Sequence, residues 1–272
     1  MKTRNKLLLL VLFIFIAASV TINYTGVYAR GDSGNTSKYR ISLIYDNYKF
    51  VEGTQTDWGF SCLIEKDGYK LLFDTGTKPA ILLNNMKKLE ISPEFIDQII
   101  ISHNHFDHIG GLPAILEKNN EAVVFVPFST PAKNINEIKE KGNEVKSHKE
   151  KTEIHKDIYV SGEMGISIKE QALVLDTDDG LIVITGCSHP GIANMLERIK
   201  NEFNKNIHFV MGGFHLMNKT EEEMNNIIKK IKALGIDFVG ATHCTGDKQI
   251  DMFRKAFGKN FVELGVGRKL EY

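Results

Sequence analysis

Three imidazoles and a carboxylate fall within six residues at His103-Asn104-His105-Phe106-Asp107-His108. The block follows Gln98–Ile101, whose three consecutive isoleucines form a short β-branched run that reads as a buried strand. Side chains alternate along an extended backbone, so His103 and His105 point the same way. A turn then presents Asp107 and His108 together. Neutral imidazoles with one carboxylate at a strand end make a site for zinc, iron or manganese. A fold gains no evident packing benefit from three imidazoles in six residues. Gly110-Gly111 lets the chain turn tightly into the next element.

Three more histidines occupy similar places. Leu181–Thr185 runs into Gly186-Cys187-Ser188-His189, Ile207–Met211 into Gly212-Gly213-Phe214-His215, and Ile236–Ala241 into Thr242-His243-Cys244. Each loop follows an apolar strand, and α/β folds place their sites at such strand ends. The remaining histidines, His148, His155 and His208, sit in polar or mid-strand surroundings and read as structural or surface residues. Adjacent Ser188-His189 has no Gly-x-Ser-x-Gly elbow around it, and the chain has neither a Walker A nor a Gly-x-Gly-x-x-Gly motif.

The elements that must hold these residues alternate. Arg40–Tyr45, Phe60–Ile64 and Tyr69–Phe73 read as strands, then Lys78–Leu89 as a helix with Ile81, Leu82 and Met86 on one face. Leu112–Glu117 is a short helix, Ala122–Pro127 a strand and Pro131–Lys141 a polar helix or loop. Ile158–Val160 and Ala172–Asp176 are strands. Gly191–Phe203 and Asp247–Phe257 are helices, and Phe261–Leu264 is read as the last strand. Thr220 opens a helix as its cap with Glu223 at N3, and Met224, Ile227, Ile228, Ile231 and Leu234 line its core face. Hairpins first and βα units later imply an α/β domain of two mixed sheets with helices outside, over residues 39–272.

Composition bounds the partners. The 272 residues carry 34 Lys+Arg and 34 Asp+Glu, so no bulk positive charge recruits nucleic acid. Hydrophobic residues at 42% and charged residues at 25% belong to a globular chain. Three cysteines, Cys62, Cys187 and Cys244, are too few and too far apart for a disulfide scaffold. At the N-terminus, Lys2, Arg4 and Lys6 precede the apolar run Leu7–Val20. As a helix that run rises about 21 Å, short of a hydrocarbon core of about 30 Å. Residues 1–29 therefore read as a signal peptide cleaved after Ala29, or as an uncleaved anchor that is the only membrane contact. Residues 30–38 read as a linker. The chain is then exported, either secreted or held at the outer face of the cytoplasmic membrane.

His103–Gly111, with Phe73-Asp74-Thr75-Gly76 upstream, resembles the metal signature of the metallo-β-lactamase fold superfamily. Trp58–Ser61, Gly186–Ile192, Gly212–Leu216 and Thr242–Gly246 resemble its branch named for dihydropterin and ribofuranosylaminobenzene-phosphate synthases. The resemblance implies an αββα sandwich and a divalent metal site, usually of two ions, here two zinc ions or else iron or manganese. Carried over by position, His103, His105 and His189 would hold metal 1, and Asp107, His108 and His243 metal 2. Many members carry a bridging aspartate after a strand ending Thr-Gly. This chain has Cys187 there, so the bridge is Cys187, is missing, or is water alone. His215 stands between a metal and a substrate role, and Asp74 would orient a ligand from behind.

Two ions about 3.5–4 Å apart share a hydroxide that attacks a carbonyl or phosphoryl centre, with Asp107 as the catalytic carboxylate. The resulting expectation is a metal-dependent hydrolase of a small ester, lactone, phosphoester or pterin-like substrate. Its rivals are a pterin-related transferase, against which an export leader counts, and a metal-dependent small-molecule-binding protein. Trp58, the only tryptophan, and Phe214 are expected to contact a flat substrate, with Phe60 and Phe106 nearby.

Overall fold

The computed structural model describes residues 39–272, so the expected leader and linker lie outside the described residues. One sheet takes β1 (Arg40–Tyr45), β2 (Ser61–Lys66), β3 (Tyr69–Phe73), β4 (Gln98–Ile100), β5 (Val123–Pro127) and β6 (Val145–His148) in sequence order. The second takes β7 (Thr152–His155), β8 (Ile158–Val160), β9 (Leu173–Thr177), β10 (Gly180–Thr185), β11 (Ile207–Gly213) and β12 (Phe238–Thr242). β13 (Lys269–Glu271) returns to pair antiparallel with β1. The helices are α1 (Pro79–Lys88), α2 (Phe106–Ile109), α3 (Leu112–Leu116), α4 (Ala132–Glu140), α5 (Ile192–Phe203), α6 (Glu221–Ala233) and α7 (Asp247–Phe257).

The strands are apolar on both faces, and their alternation sorts side chains into three layers. Leu71, Phe73 and Ile100 of the first sheet meet Leu173, Leu175, Ile182, Ile184, Phe209 and Met211 of the second. The intervening Leu72 and Ile99 face outward onto Leu82 and Met86 of α1 and Leu112 and Ile115 of α3. On the far side Leu181, Val183 and Val210 bury against Leu196 of α5, Ile231 of α6 and Phe253 of α7. This is the α/β, αββα arrangement expected. The α6 capping box forms as read: Thr220 Oγ1 accepts from the Glu223 N–H at 3.3 Å, and Glu223 Oε2 from the Thr220 N–H at 2.8 Å.

Three readings change. Phe261–Leu264 is not a strand: only Phe261 bridges Val239, and the last strand is β13. β6 and β7 form where no strand was expected, because these edge segments, Val-Lys-Ser-His and Thr-Glu-Ile-His, lack apolar alternation. Residues 132–140 settle as helix. Among the described residues no helix is long and apolar enough to cross a membrane.

Candidate metal centre

Parallel register brings the chemistry-bearing loops to one edge. Thr185 pairs with Gly212 and Gly213 with Thr242, so the loops carrying Cys187, His189, His215 and His243 leave β10, β11 and β12 side by side. In the first sheet Phe73 pairs with Ile100, so Asp74 emerges beside Ser102 and His103. The loops turn sharply: Asp74, Ser188, His215 and His243 all have φ between 50° and 63°. Four left-handed non-glycine residues at one edge are costly, and such strain concentrates at functional sites.

The donors gather in overlapping groups whose ligand atoms all lie within 4.8 Å of one another. His103, His105 and His189 form position 1, with His105 Nδ1 3.1 Å from His189 Nε2. Tetrahedral zinc with nitrogen ligands at about 2.0–2.1 Å holds them roughly 3.3 Å apart. Asp107, His108, His243 and Cys187 form position 2, with Asp107 Oδ2 3.5 Å from His108 Nε2 and 3.2 Å from His243 Nε2. Cys187 Sγ is 3.2 Å from His108 Nε2, so the thiol occupies the neighbourhood in which a bridge was sought. It is also grouped with His215 and Cys244. His148, His155 and His208 lie elsewhere: the first two stack on Phe125 and Tyr69, and His208 pairs with Asp237.

Three of the rings, His103, His108 and His243, are aimed from behind. Asp74 Oδ1 accepts from the Ser102 N–H at 2.7 Å, and its Oδ2 lies 2.6 Å from His108 Nδ1 and 2.7 Å from Ser102 Oγ. Ser102 gives its one proton to Asp74, so its oxygen accepts from His103 Nδ1 at 2.9 Å, leaving the His103 Nε2 lone pair facing the centre. Asn47 Oδ1 accepts from the Gly59 N–H at 3.2 Å and from His243 Nδ1 at 3.0 Å, which leaves His243 Nε2 facing the Asp107 carboxylate. His103 Nε2 and His243 Nε2 are both buried without a hydrogen-bond partner. Unpaired buried acceptors cost about 1–3 kcal/mol each, and the His243 nitrogen 3.2 Å from the Asp107 carboxylate has room for a proton or a metal cation between them. The donors therefore fit a divalent metal centre.

Besides Ser102, two positioning residues distant in sequence escaped the sequence reading. Glu170 is buried, and its carboxylate accepts from the N–H groups of Cys187 and Ser188 at 2.8 Å and of His189 at 2.9 Å, pinning that loop. Burial holds its carboxyl above the usual range despite those three donors. Asn47 likewise carries no local signature. Both lie far in sequence from the histidines they hold, and only the fold makes the pairing.

The electrostatics favour open lone pairs at His103 and His189 and a bound proton at His108. Burial, reinforced by the His108 and His189 rings, holds His103 far below the usual imidazole range. Burial and the neighbouring His215 and His105 bring His189 down to about 3. Burial opposes charge on His108, but the Asp74 and Asp107 carboxylates outweigh it and hold the ring up at about 10. Burial also opposes ionisation of Asp107, yet the imidazoles of His108 and His243 keep it far below the carboxylate range.

Glycine makes room at the centre of this edge. A Cβ on Gly186 would collide with Ser102 Oγ and Asp74 Oδ2, and one on Gly213 would lie 2.7 Å from Cys244 Sγ.

The aromatic residues divide. Trp58 is 43% exposed at the rim; its indole N–H donates to Asp107 Oδ2 at 2.8 Å, and its ring centroid is 5.0 Å from that of His243. Phe214 corrects the expectation of a substrate contact: it is 1% exposed and meets Phe253 edge-on at 5.4 Å in the outer core. The loop leaves β11 with Phe214 turned onto the outer core beneath α7, and the left-handed turn at His215 brings the next side chain outward. Phe60 is buried against Phe73, whereas Phe106 is exposed.

Known proteins share this sequence pattern and fold. The family model described as the Metallo-beta-lactamase superfamily matches residues 59–190. A 7,8-dihydropterin-6-methyl-4-(beta-D-ribofuranosyl)-aminobenzene-5'-phosphate synthase of Methanocaldococcus jannaschii is 31% identical over 89% of this chain and 98% of its own length. The crystal structure of a metal-dependent hydrolase of the beta-lactamase superfamily superposes with a TM-score of 0.74 at 31% identity, covering 86% of this chain and 99% of that one. A metallo-beta-lactamase fold protein from Bacillus subtilis shares the fold at 13% identity, with a TM-score of 0.63 over 87% of this chain and 100% of its own. Fold, site and relatives together place the chain in the metallo-β-lactamase superfamily.

Proposed function

We propose that this chain is an exported metal-dependent hydrolase of a small ester, lactone, phosphoester or pterin-like molecule. One observation carries the reading: two histidine-rich donor sets converge at one sheet edge with buried, unpaired ring nitrogens aimed inward and an exposed tryptophan at the rim. A divalent pair held there supplies Lewis acidity and activates water at neutral pH. His103, His105 and His189 bind one ion; Asp107, His108, His243 and Cys187 bind the other. Asp74, through Ser102 and directly, fixes two of the rings. The Trp58 indole holds the Asp107 carboxylate in place, leaving its other oxygen to orient a proton on the incoming nucleophile.

A second reading, a pterin-related transferase, is favoured by the likeness to the Methanocaldococcus jannaschii synthase. A substrate panel of esters, lactones, phosphoesters and reduced pterins separates the two. Turnover to water-derived products, lost on chelation and restored by zinc, supports hydrolysis. Turnover that requires an acceptor other than water supports transfer, and tight binding with no turnover means a binding protein. Within the panel, Trp58→Ala is expected to weaken a flat ligand about tenfold, close to 1.4 kcal/mol, with position 1 still loaded. Unchanged affinity by calorimetry discards the flat-ring contact.

Export rests on residues 1–29 alone. Mass spectrometry of protein from the native host is expected to find a mature chain starting at Arg30, or a full-length chain in the membrane fraction. A soluble full-length cytoplasmic chain refutes it.

A further inference from the structure

Cys187, Cys244 and His215 leave three neighbouring strand ends and bring their ligand atoms within 4.8 Å of one another. We propose that these three residues form a third, sulfur-rich coordination position for a thiophilic cation such as zinc, joined to position 2 through the shared Cys187. Both cysteines are buried and free rather than bridged. The Cys244 sulfur lies 3.7 Å from the Cys187 carbonyl oxygen, and a His215 ring nitrogen lies within 4.8 Å of that same sulfur.

Three features separate this cluster from two thiols used as small core fillers. A filler needs no imidazole at its sulfur, whereas a coordination position does. His215 adopts φ 52°, a conformation costly for a non-glycine residue, and that turn brings its ring to the thiols. Gly213 leaves the space that Cys244 Sγ fills. The cluster is also continuous with the centre. The His215 ring centroid is 4.2 Å from that of His189 in position 1, and Cys187 Sγ is 3.2 Å from His108 Nε2 in position 2.

The donor chemistry sets the class of ion. Two thiols and an imidazole favour zinc and softer ions over magnesium, calcium or manganese. Binding forms two metal–sulfur bonds and releases the two S–H protons to solvent. The position does not depend on which substrate the protein turns over.

The test uses the purified chain loaded with cobalt(II). Thiolate ligands give intense near-ultraviolet charge-transfer absorbance, which imidazole and carboxylate ligands do not. Wild type is expected to show it, Cys244→Ser to lose about half of it with one equivalent of cobalt, and His215→Ala to bind that equivalent at least tenfold more weakly. If Cys244→Ser does not fold, X-ray absorption of the zinc-loaded wild type decides, with two sulfurs expected at about 2.3 Å, one more than Cys187 at position 2 supplies alone. No charge-transfer absorbance, absorbance unchanged in Cys244→Ser, or zinc with no more than one sulfur neighbour overturns the proposal. Histidine-bound metal at position 1 survives each of those results, so the hydrolase reading falls or stands separately.

Discussion

His103→Ala is expected to lose one equivalent of metal and to lower turnover on the order of 10³-fold or more, about 4 kcal/mol of transition-state stabilisation. The ring is fully buried and its Nε2 has no partner in the protein, so alanine removes an inward-facing donor that nothing nearby replaces. Asp107→Ala should behave differently. It leaves the three imidazoles of position 1 intact and removes the carboxylate that faces His108 and His243, so elemental analysis should find one equivalent retained and the other weakened. The variants' circular dichroism serves as the folding control. Equal stoichiometry in wild type and both variants would refute the division of labour, and full activity in metal-free protein would refute the metal reading itself.

The second large effect concerns stability. Phe214→Ala should cost about 3–5 kcal/mol, because the ring is enclosed by the outer core and packs edge-on against Phe253 of α7. For a domain of this size that is a fall in Tm of roughly 6–20 °C. Trp58→Ala, at an exposed rim, should leave Tm almost unchanged. Thermal melts with ligand titrations below the transition separate the two residues. A Phe214→Ala protein with native Tm but lost substrate affinity would restore the substrate role expected from its place in the sequence.

These two residues mark the boundary of what the sequence reveals. The histidine block is legible because metal ligation needs particular atoms at short spacing, and His103, His105, Asp107 and His108 all lie within six residues. His189, His215 and His243 are legible because each follows an apolar strand. Asp74 stands out for the same reason, being a carboxylate at a strand end. Glu170 and Asn47 are not legible. Their partners are backbone N–H groups 17–19 residues away and a ring 196 positions away, and such pairings exist only after the sheets pack. Phe214 is misread because proximity to a motif says nothing about which face of a strand end a side chain takes. The strands of the core were legible from β-branched runs. The edge strands β6 and β7 were not, because their outer positions face water and carry no alternation to read.

Gly186 and Gly213 have a consequence for how the protein can change. Each sits where even a methyl group would strike the residues that hold the donors: Ser102 and Asp74 at the first, Cys244 at the second. In a saturation mutagenesis scan these two positions should tolerate nothing else, although neither contributes a donor atom. Variation compatible with an intact centre is pushed outward to the rim around Trp58 and Phe106, where side chains are exposed. A library aimed at new substrates belongs on that rim, and one that randomises the strand-end glycines would consist of proteins unable to hold metal.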